Sequence, residues 1–234
     1  MKKVALMQPY LFPYLGYFQL IKAVDLYIVY DDVQWMKGGW INRNRILESG
    51  KPVYVTLPVK KDSVTKHINE RYFVENFDVE KKMLLNRINE AYQGAPHFDE
   101  TIKLLENIFS YTEQNAALFL LNSLQLCCEY MNITTEISLS SQIDKTLSLK
   151  AQKRVIDINE SVGSTDYINA IGGKELYDTD TFAQHGITLS FIKSIPVEYK
   201  QFSDTWVPHL SIIDVLMFNS KKEVNRMLES YELE

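Results

Sequence analysis

Only two cysteines occur in the 234 residues, and they are neighbours, Cys127 and Cys128, inside an apolar segment. Adjacent positions are poorly placed to bridge one another, and no CxxC spacing presents thiolates to a metal. A disulfide scaffold and a thiolate metal site are therefore excluded. What remains is a pair of core thiols, in keeping with a reducing cytoplasm. No run of residues reaches the apolar length of a membrane span. Met1-Lys2-Lys3 is basic, but the apolar run behind it is short and is interrupted at Gln8-Pro9, so a signal peptide is not expected. A cytoplasmic protein with no membrane partner is the expectation. An excess of positive charge is also missing. With 25 Lys and Arg against 30 Asp and Glu, a net charge of −5, the chain lacks the basic surface that nucleic acid requires. No GxSxG elbow, Cys/His pair or zinc spacing appears, which disfavours covalent and metal chemistry. There is neither an internal repeat nor a low-complexity tract.

What is present is ordinary globular composition, 46% hydrophobic and 24% charged, enough for a full core and read as one α/β domain over 1–234. The chain is organised around the stretch from Lys3 to Ile46. Val4-Ala5-Leu6-Met7 has the length of a buried strand, and Pro9, without an N–H to donate, ends it. Pro13 and Gly16 punctuate a turn. Phe18, Ile21 and Ala23 then fall near helical spacing, and Leu26 to Tyr30 is a second, β-branched and aromatic strand. Strand, helix, strand makes a parallel pair whose C-terminal loops are where ligands sit.

The rest alternates. Ile46-Leu47 and Pro52 to Leu57 flank Gly50 as a β-hairpin. Lys60 to Lys66 is a polar loop of mixed charge, and Ile68 to Val74 holds a short strand. Three helices follow, from Asp78 (as cap) to Tyr92, from Phe98 to Tyr111 and from Asn115 to Met131, forming a helical insertion at about 78–132. Thr134 to Leu139 is a strand, Leu149 to Val162 an amphipathic helix stopped by Gly163, and Tyr167 to Ile171 a strand. A short helix ends at His185, and Ile187 to Ile192 is the last clear strand. Ser211 to Asn219 and Lys222 to Tyr231 finish as helices. The fold class is α/β, a Rossmann-like parallel sheet with an inserted hairpin and a helical subdomain.

The loops of the first unit concentrate directional groups: Gln8, Tyr10 and Tyr14, then Asp31, Asp32, Gln34 and Trp35, then Trp40, Asn42, Arg43, Asn44 and Arg45. Asp31 and Asp32 can meet a ligand hydroxyl, amine or metal, or simply cap a turn. As neighbours on extended chain they point to opposite faces and make no acid/base pair of their own. Arg43 and Arg45 share one face of an extended segment, with Asn42 and Asn44 on the other. That face suits a bidentate carboxylate or phosphate, or else a salt-bridged hairpin. Arg43, on this view, stands beside the two aspartates. Gly172 and Gly173, before Lys174, offer amides to an anion or form a tight turn. His209 is a candidate acid/base, Ser211 a helix cap with amides facing a ligand, and Asp214 lies nearby. His67, His97 and His185 have no partner pattern. Gln8, Asp31, Asp32, Arg43 and Asn44 are expected to converge at the C-terminal edge of the sheet.

QPYLFPYLGYF (8–18), VDLYIVYDDVQW (24–35) and GGWINRNRI (38–46) also resemble the opening of the WbqC-like family, bacterial proteins encoded among O-antigen and other surface-polysaccharide genes. The likeness continues at Tyr92 to Pro96, Ser140-Ser141, Gly163 to Ile168 and Pro208 to Asp214, and so spans nearly the whole chain. The resemblance implies transfer of glycine or another acyl group to an amino sugar. Its implied partner is a sugar or nucleotide-sugar substrate, and its implied cofactor a nucleotide or activated acyl donor. Pro13-Tyr14-Leu15-Gly16-Tyr17 is similar in place to the HxGH turn of nucleotidylyltransferase-like folds. Tyr14 and Tyr17 stand where its histidines would be, which argues against adenylyl transfer. Two readings follow. In one, Arg43 and Arg45 hold an anion, Asp31 or Asp32 takes the amine proton, and Trp35 or Trp40 stacks on a ring. In the other, the same loops bind a sugar nucleotide without catalysis, in an assembly role.

Overall fold

The computed structural model describes residues 1–234. In chain order it contains β1 (Lys3–Met7), α1 (Leu15–Lys22), β2 (Leu26–Val29), β3 (Arg43–Glu48), β4 (Lys51–Thr56), α2 (Phe77–Tyr92), α3 (Phe98–Ser110) and α4 (Ala116–Tyr130). Then come β5 (Glu136–Leu139), α5 (Ala151–Ser161), β6 (Asp166–Ala170), α6 (Thr179–Gln184), β7 (Thr188–Ser194), α7 (Ile212–Phe218), α8 (Lys221–Met227) and β8 (Tyr231–Leu233).

Successive side chains of a strand point to opposite faces, and here both faces are apolar. Val4 and Leu6 of β1, Leu26 and Ile28 of β2, Tyr167 of β6, and Leu189 and Phe191 of β7 meet Val155, Ile156 and Ile158 of α5 and Phe182 of α6. Their neighbours Ala5, Tyr27, Val29, Ile168 and Ile192 face the other way. They join a larger core with α1, the three helices α2 to α4, the hairpin and α7. Such two-sided burial is what a parallel sheet demands.

The main sheet runs β5-β2-β1-β6-β7-β8, parallel except for β8 at the edge. Counted along the chain, its own strands lie in the order 3-2-1-4-5-6, the Rossmann order. The chain works outward from β1 to β5, then crosses back beyond β1 to place β6 and β7. Right-handed crossovers therefore put α1 and α2 to α4 on one face and α5 and α6 on the other. The two directions part between β1 and β6, and the crevice above that parting, at the strand C-termini, is the topological switch point. The β3–β4 hairpin forms a separate two-stranded sheet.

Three expectations are corrected. Ile68 to Val74 is not a strand: Ile68–Glu70 is a 3-10 turn, in which Glu70 accepts from the His67 amide at 2.7 Å, and only single bridges follow. The final helix stops at Met227, because Leu228 and Glu229 turn the chain and Tyr231 to Leu233 pairs with β7. The α2 start lies at Phe77, so Asp78 is inside the first turn rather than at the cap. No helix is long and apolar enough to cross a membrane.

Candidate functional site

Because β1 and β6 are parallel neighbours, Gln8 and the Ile171–Gly173 turn leave the same edge of the sheet. The Gln8 carbonyl accepts from the Tyr17 hydroxyl at 2.9 Å, fixing the main chain there while the Gln8 side chain stays uncommitted. Tyr10 packs on Tyr17 with ring centroids 5.4 Å apart. Burial raises the phenols of Tyr10 and Tyr14 above the usual tyrosine value, with Tyr14 adding to the effect at Tyr10. Both are neutral donors at ordinary pH, and neither hydroxyl bonds within the protein. Across the crevice, a Cβ on Gly173 would lie 2.3 Å from Asn169 Nδ2, so any larger residue there would have to displace the Asn169 amide.

The loop from Pro9 to Tyr14 needs strong support, since Phe12 holds φ 43°, a left-handed value unfavourable for an aromatic residue. The support comes from two other parts of the chain. Asn44 Nδ2, on the buried side of β3, donates to the carbonyls of Leu11 (2.9 Å) and Phe12 (2.8 Å). Ser211 Oγ donates to Phe12 at 2.8 Å, the Ile212 amide to Pro13 at 2.9 Å, and the Leu11 amide to Trp40 at 3.1 Å. Ser211 also caps α7 by accepting from the Ile213 amide. The α7 start therefore abuts the first loop, and Asn44 is a brace rather than a ligand contact. Arg45 Nη2 donates to the His209 carbonyl at 3.0 Å, and its guanidinium lies 5.7 Å from the Trp40 ring. The His209 side chain is exposed and unbonded. Asp214 is fully buried and accepts from Tyr92 (2.9 Å), Tyr199 (2.7 Å) and Gln201 (2.7 Å). Burial raises its carboxyl above the usual range despite these three donors.

The two aspartates after β2 are both occupied. Asp31, 1% exposed, accepts from the Ser141 amide (2.9 Å), the Ser141 hydroxyl (2.6 Å) and Asn69 (3.2 Å), tying β2 to the end of β5. Asp32 Oδ2 takes Arg154 at 2.6 Å and Lys145 at 2.8 Å. Lys145 Nζ also donates to the carbonyls of Ser140 and Ile143. Burial pushes the Asp32 carboxyl up, but Lys145, Ser140 and Arg154 outweigh it and hold the group below the usual carboxylate range. A carboxylate so held is a poor proton acceptor. Asp31, expected with Asp32 as a base for the amine, is a hydrogen-bonded strut here, and Asp32 is the counter-ion of Lys145 and Arg154.

Beyond β2 the chain lines a cleft of about 1010 Å³ with Gln34, Trp35, Asn42 and Arg43 on its wall. Arg43 has no carboxylate beside it, against expectation. Its Nε donates to the Gly39 carbonyl at 3.0 Å and its Nη2 to Gly38, with the guanidinium 4.8 Å from the Tyr54 ring. The cause is the hairpin, a sheet of its own, whose pleat turns Asn44 inward and Arg43 away from β2. Gln34 Nε2 donates to Val64 and Asn42 Nδ2 to Leu57, each at 2.8 Å. Trp35 is nearly buried against the Arg71 guanidinium, 5.3 Å away, and Trp40 stacks on Tyr54 at 6.0 Å. No group of three or more His, Cys, Asp or Glu side chains is placed to hold a metal ion.

The model of the WbqC-like protein family matches residues 8–226. The chain belongs to that family. The uncharacterized protein Rv1507c of Mycobacterium tuberculosis is 32% identical to this WbqC-like chain over 223 residues, covering 94% of each. No solved structure matches it.

The predicted residues of this WbqC-like protein are thus distributed over three places, apart from Arg45, which meets the His209 carbonyl and the Trp40 ring. Gln8, Tyr10, Tyr14, Gly172 and Gly173 flank the switch point. Asn44, Asp31, Asp32, Ser211 and Asp214 are internal braces. Gln34, Trp35, Asn42 and Arg43 line the cleft. Sequence reasoning missed Lys145 and Arg154, which meet Asp32 from 113 and 122 positions away along the chain. It also passed over Lys60, Lys61 and Arg71. Ser141, part of a stretch with family likeness, was the one available signal.

Proposed function

We propose that this WbqC-like protein binds a nucleotide-linked amino sugar in the crevice between β1 and β6 and transfers an acyl or aminoacyl group to its amine during surface-polysaccharide assembly. The observation that carries this reading is the Rossmann strand order, with the uncommitted Gln8 side chain and the neutral Tyr10 and Tyr14 hydroxyls at the switch point. The step from that fold to nucleotide recognition is analogy; the acyl chemistry comes from family likeness. With Asp31 and Asp32 occupied, His209 carries the unbonded imidazole near the loop, two residues from the Ser211 that bonds Phe12. In the reaction the amine nitrogen would form a bond to the acyl carbonyl carbon, the donor's leaving group would depart with its electron pair, and His209 would take the amine proton.

The test is calorimetric binding of nucleotide-linked amino sugars, followed by incubation with acyl-CoA, or with amino acids and ATP, and product detection by mass. A sugar nucleotide heavier by one acyl group, lost in His209→Ala with binding kept, supports the proposal. The second reading, a non-catalytic sugar-nucleotide binder, is favoured by the engagement of both aspartates that follow β2. Binding without any product under every donor would establish it.

A further inference from the structure

Five of the chain's 25 basic side chains, Lys37, Arg43, Lys60, Lys61 and Arg71, line the cleft beyond β2, in a protein whose net charge is −5. Against them stands one carboxylate, Asp62, already paired with Lys66 at 2.7 Å. Lys60 reaches only Glu75, at 3.9 Å with that carboxylate 92% exposed, and Lys37 and Lys61 have no ionic partner. So much unpaired positive charge around one concavity opposes folding by self-repulsion unless something negative enters it.

Arg71 makes this more than a cluster of surface lysines. It is 7% exposed, donates to the Ser63 carbonyl at 3.0 Å, packs on Trp35, and has no carboxylate within ion-pair distance. Its Nε–H is buried and unpartnered. A buried cation is normally paired with an anion, and no side chain supplies one. The main chain around the cleft is tied down, the Lys60 amide bonding Tyr72 at 2.8 Å and the Trp35 amide bonding Lys66 at 3.0 Å. Arg71 and Arg43 are fixed by their carbonyl partners, and the volume of about 1010 Å³ is far more than one inorganic anion fills.

We propose that this cleft is a separate binding site for the polyphosphate chain of a small molecule. Arg71 and Arg43 face the chain at the wall, and Lys37, Lys60 and Lys61 neutralise it. A concave site with charge on all sides fits a flexible di- or triphosphate better than a duplex, whose phosphates need a convex or open basic face. The inference stands on charge and burial and does not depend on the acyl-transfer reading.

The experiment is titration calorimetry on the full chain with inorganic triphosphate, ATP, AMP and sulfate, at about 50 and about 300 mM KCl. Triphosphate and ATP are expected to bind at least about tenfold more tightly than AMP or sulfate, and to weaken several-fold at the higher salt. ATP tighter than triphosphate would mean the base or ribose is also read; equal affinity would mean the phosphate chain suffices. Lys60→Ala/Lys61→Ala, both exposed, should keep the wild-type melting temperature and weaken triphosphate roughly tenfold or more. The charge-matched control Lys103→Ala/Lys222→Ala, on α3 and α8, should not change it. Absence of triphosphate binding, equal affinity for sulfate, or equal loss in the control pair would overturn the site. A short RNA binding more tightly than ATP would reassign it to nucleic acid.

Discussion

Asp32→Asn separates a counter-ion from a catalytic base. In the wild type, one carboxylate oxygen serves two cations whose side chains are only 2% (Lys145) and 13% (Arg154) exposed. Asparagine keeps the shape but removes the charge, leaving two buried cations with main-chain carbonyls and the Tyr30 ring for company. Breaking a buried pair in this way costs about 3–5 kcal/mol, because the stranded charge has lost its water and its partner. For a chain of this size each kcal/mol moves the melting temperature by about 2–4 °C. The expected fall is therefore roughly 6–20 °C, read by circular dichroism. The double variant Asp32→Asn/Lys145→Met should recover part of it, since one stranded cation goes with the carboxylate; a coupling of about 1 kcal/mol or more is expected. A melt within about 2 °C of wild type, together with lost ligand binding or turnover, would refute the counter-ion assignment and restore Asp32 to the reactive groups.

Three further outcomes are expected. Asn44→Ala removes the only hydrogen bond to the Leu11 carbonyl and one of two to Phe12, and should destabilise by about 1–3 kcal/mol in urea unfolding while loosening the Tyr10–Tyr14 loop to hydrogen exchange. Arg43→Lys should leave the melting temperature nearly unchanged, because its carbonyl partners lie in an exposed turn, yet lower anion affinity roughly tenfold for want of the guanidinium fork; the check is a melt beside calorimetry. Asp214, whose carboxyl is raised by burial, binds its proton more readily folded than unfolded. Its stabilising contribution is thus present below the ordinary carboxylate value and lost as pH rises through the folded value, so urea midpoints of Asp214→Asn should decline less over that window. Asp32, depressed, has the opposite sign: its contribution is present above the ordinary value and lost as pH falls through the folded one.

The parallel sheet was legible because its evidence is local. Leu26 to Val29 is short, apolar at every position and rich in β-branched and aromatic residues, which suits a strand covered on both faces, and Pro9 and Gly163 mark real ends. The three helices between β4 and β5 were readable from their own periodicity. What failed was decided by distant contacts. Tyr231 to Leu233 is three residues long and becomes a strand only because β7 offers an open edge. Ile68 to Val74 has β-forming residues, but its amides go singly to the carbonyls of Asp31, Val33, Pro58 and Gln114, which leaves turns and single bridges in place of a ladder. Strand order was inferable only as far as the first parallel pair.

The density of Gln, Asn, Asp and Trp in the first stretch was read as a ligand site, and the structure shows why that inference is only half safe. A loop with an aromatic residue at positive φ, running over a sheet edge, leaves main-chain carbonyls that must be satisfied, and short polar side chains do this as well as they hold a ligand. Asn44 is spent in that way, Asp31 in accepting from Ser141 and Asn69, and their spacing along the chain carries no mark of it. Long cations behave differently. Lys60 and Lys61 sit in a segment that reads as solvated loop, because their like charge is offset in sequence by Asp62 and Glu75. Only the fold reveals that Asp62 turns to Lys66 and Glu75 to solvent, leaving the cations facing one concavity. Arg71 was invisible for the opposite reason: a lone arginine among Asn69, Glu70 and Tyr72 looks paired with its neighbour, whereas Glu70 reaches back to the His67 amide instead. Charge that is balanced along the chain but unbalanced in space is the signature that sequence reading passes over. In this protein it marks the cleft beyond β2.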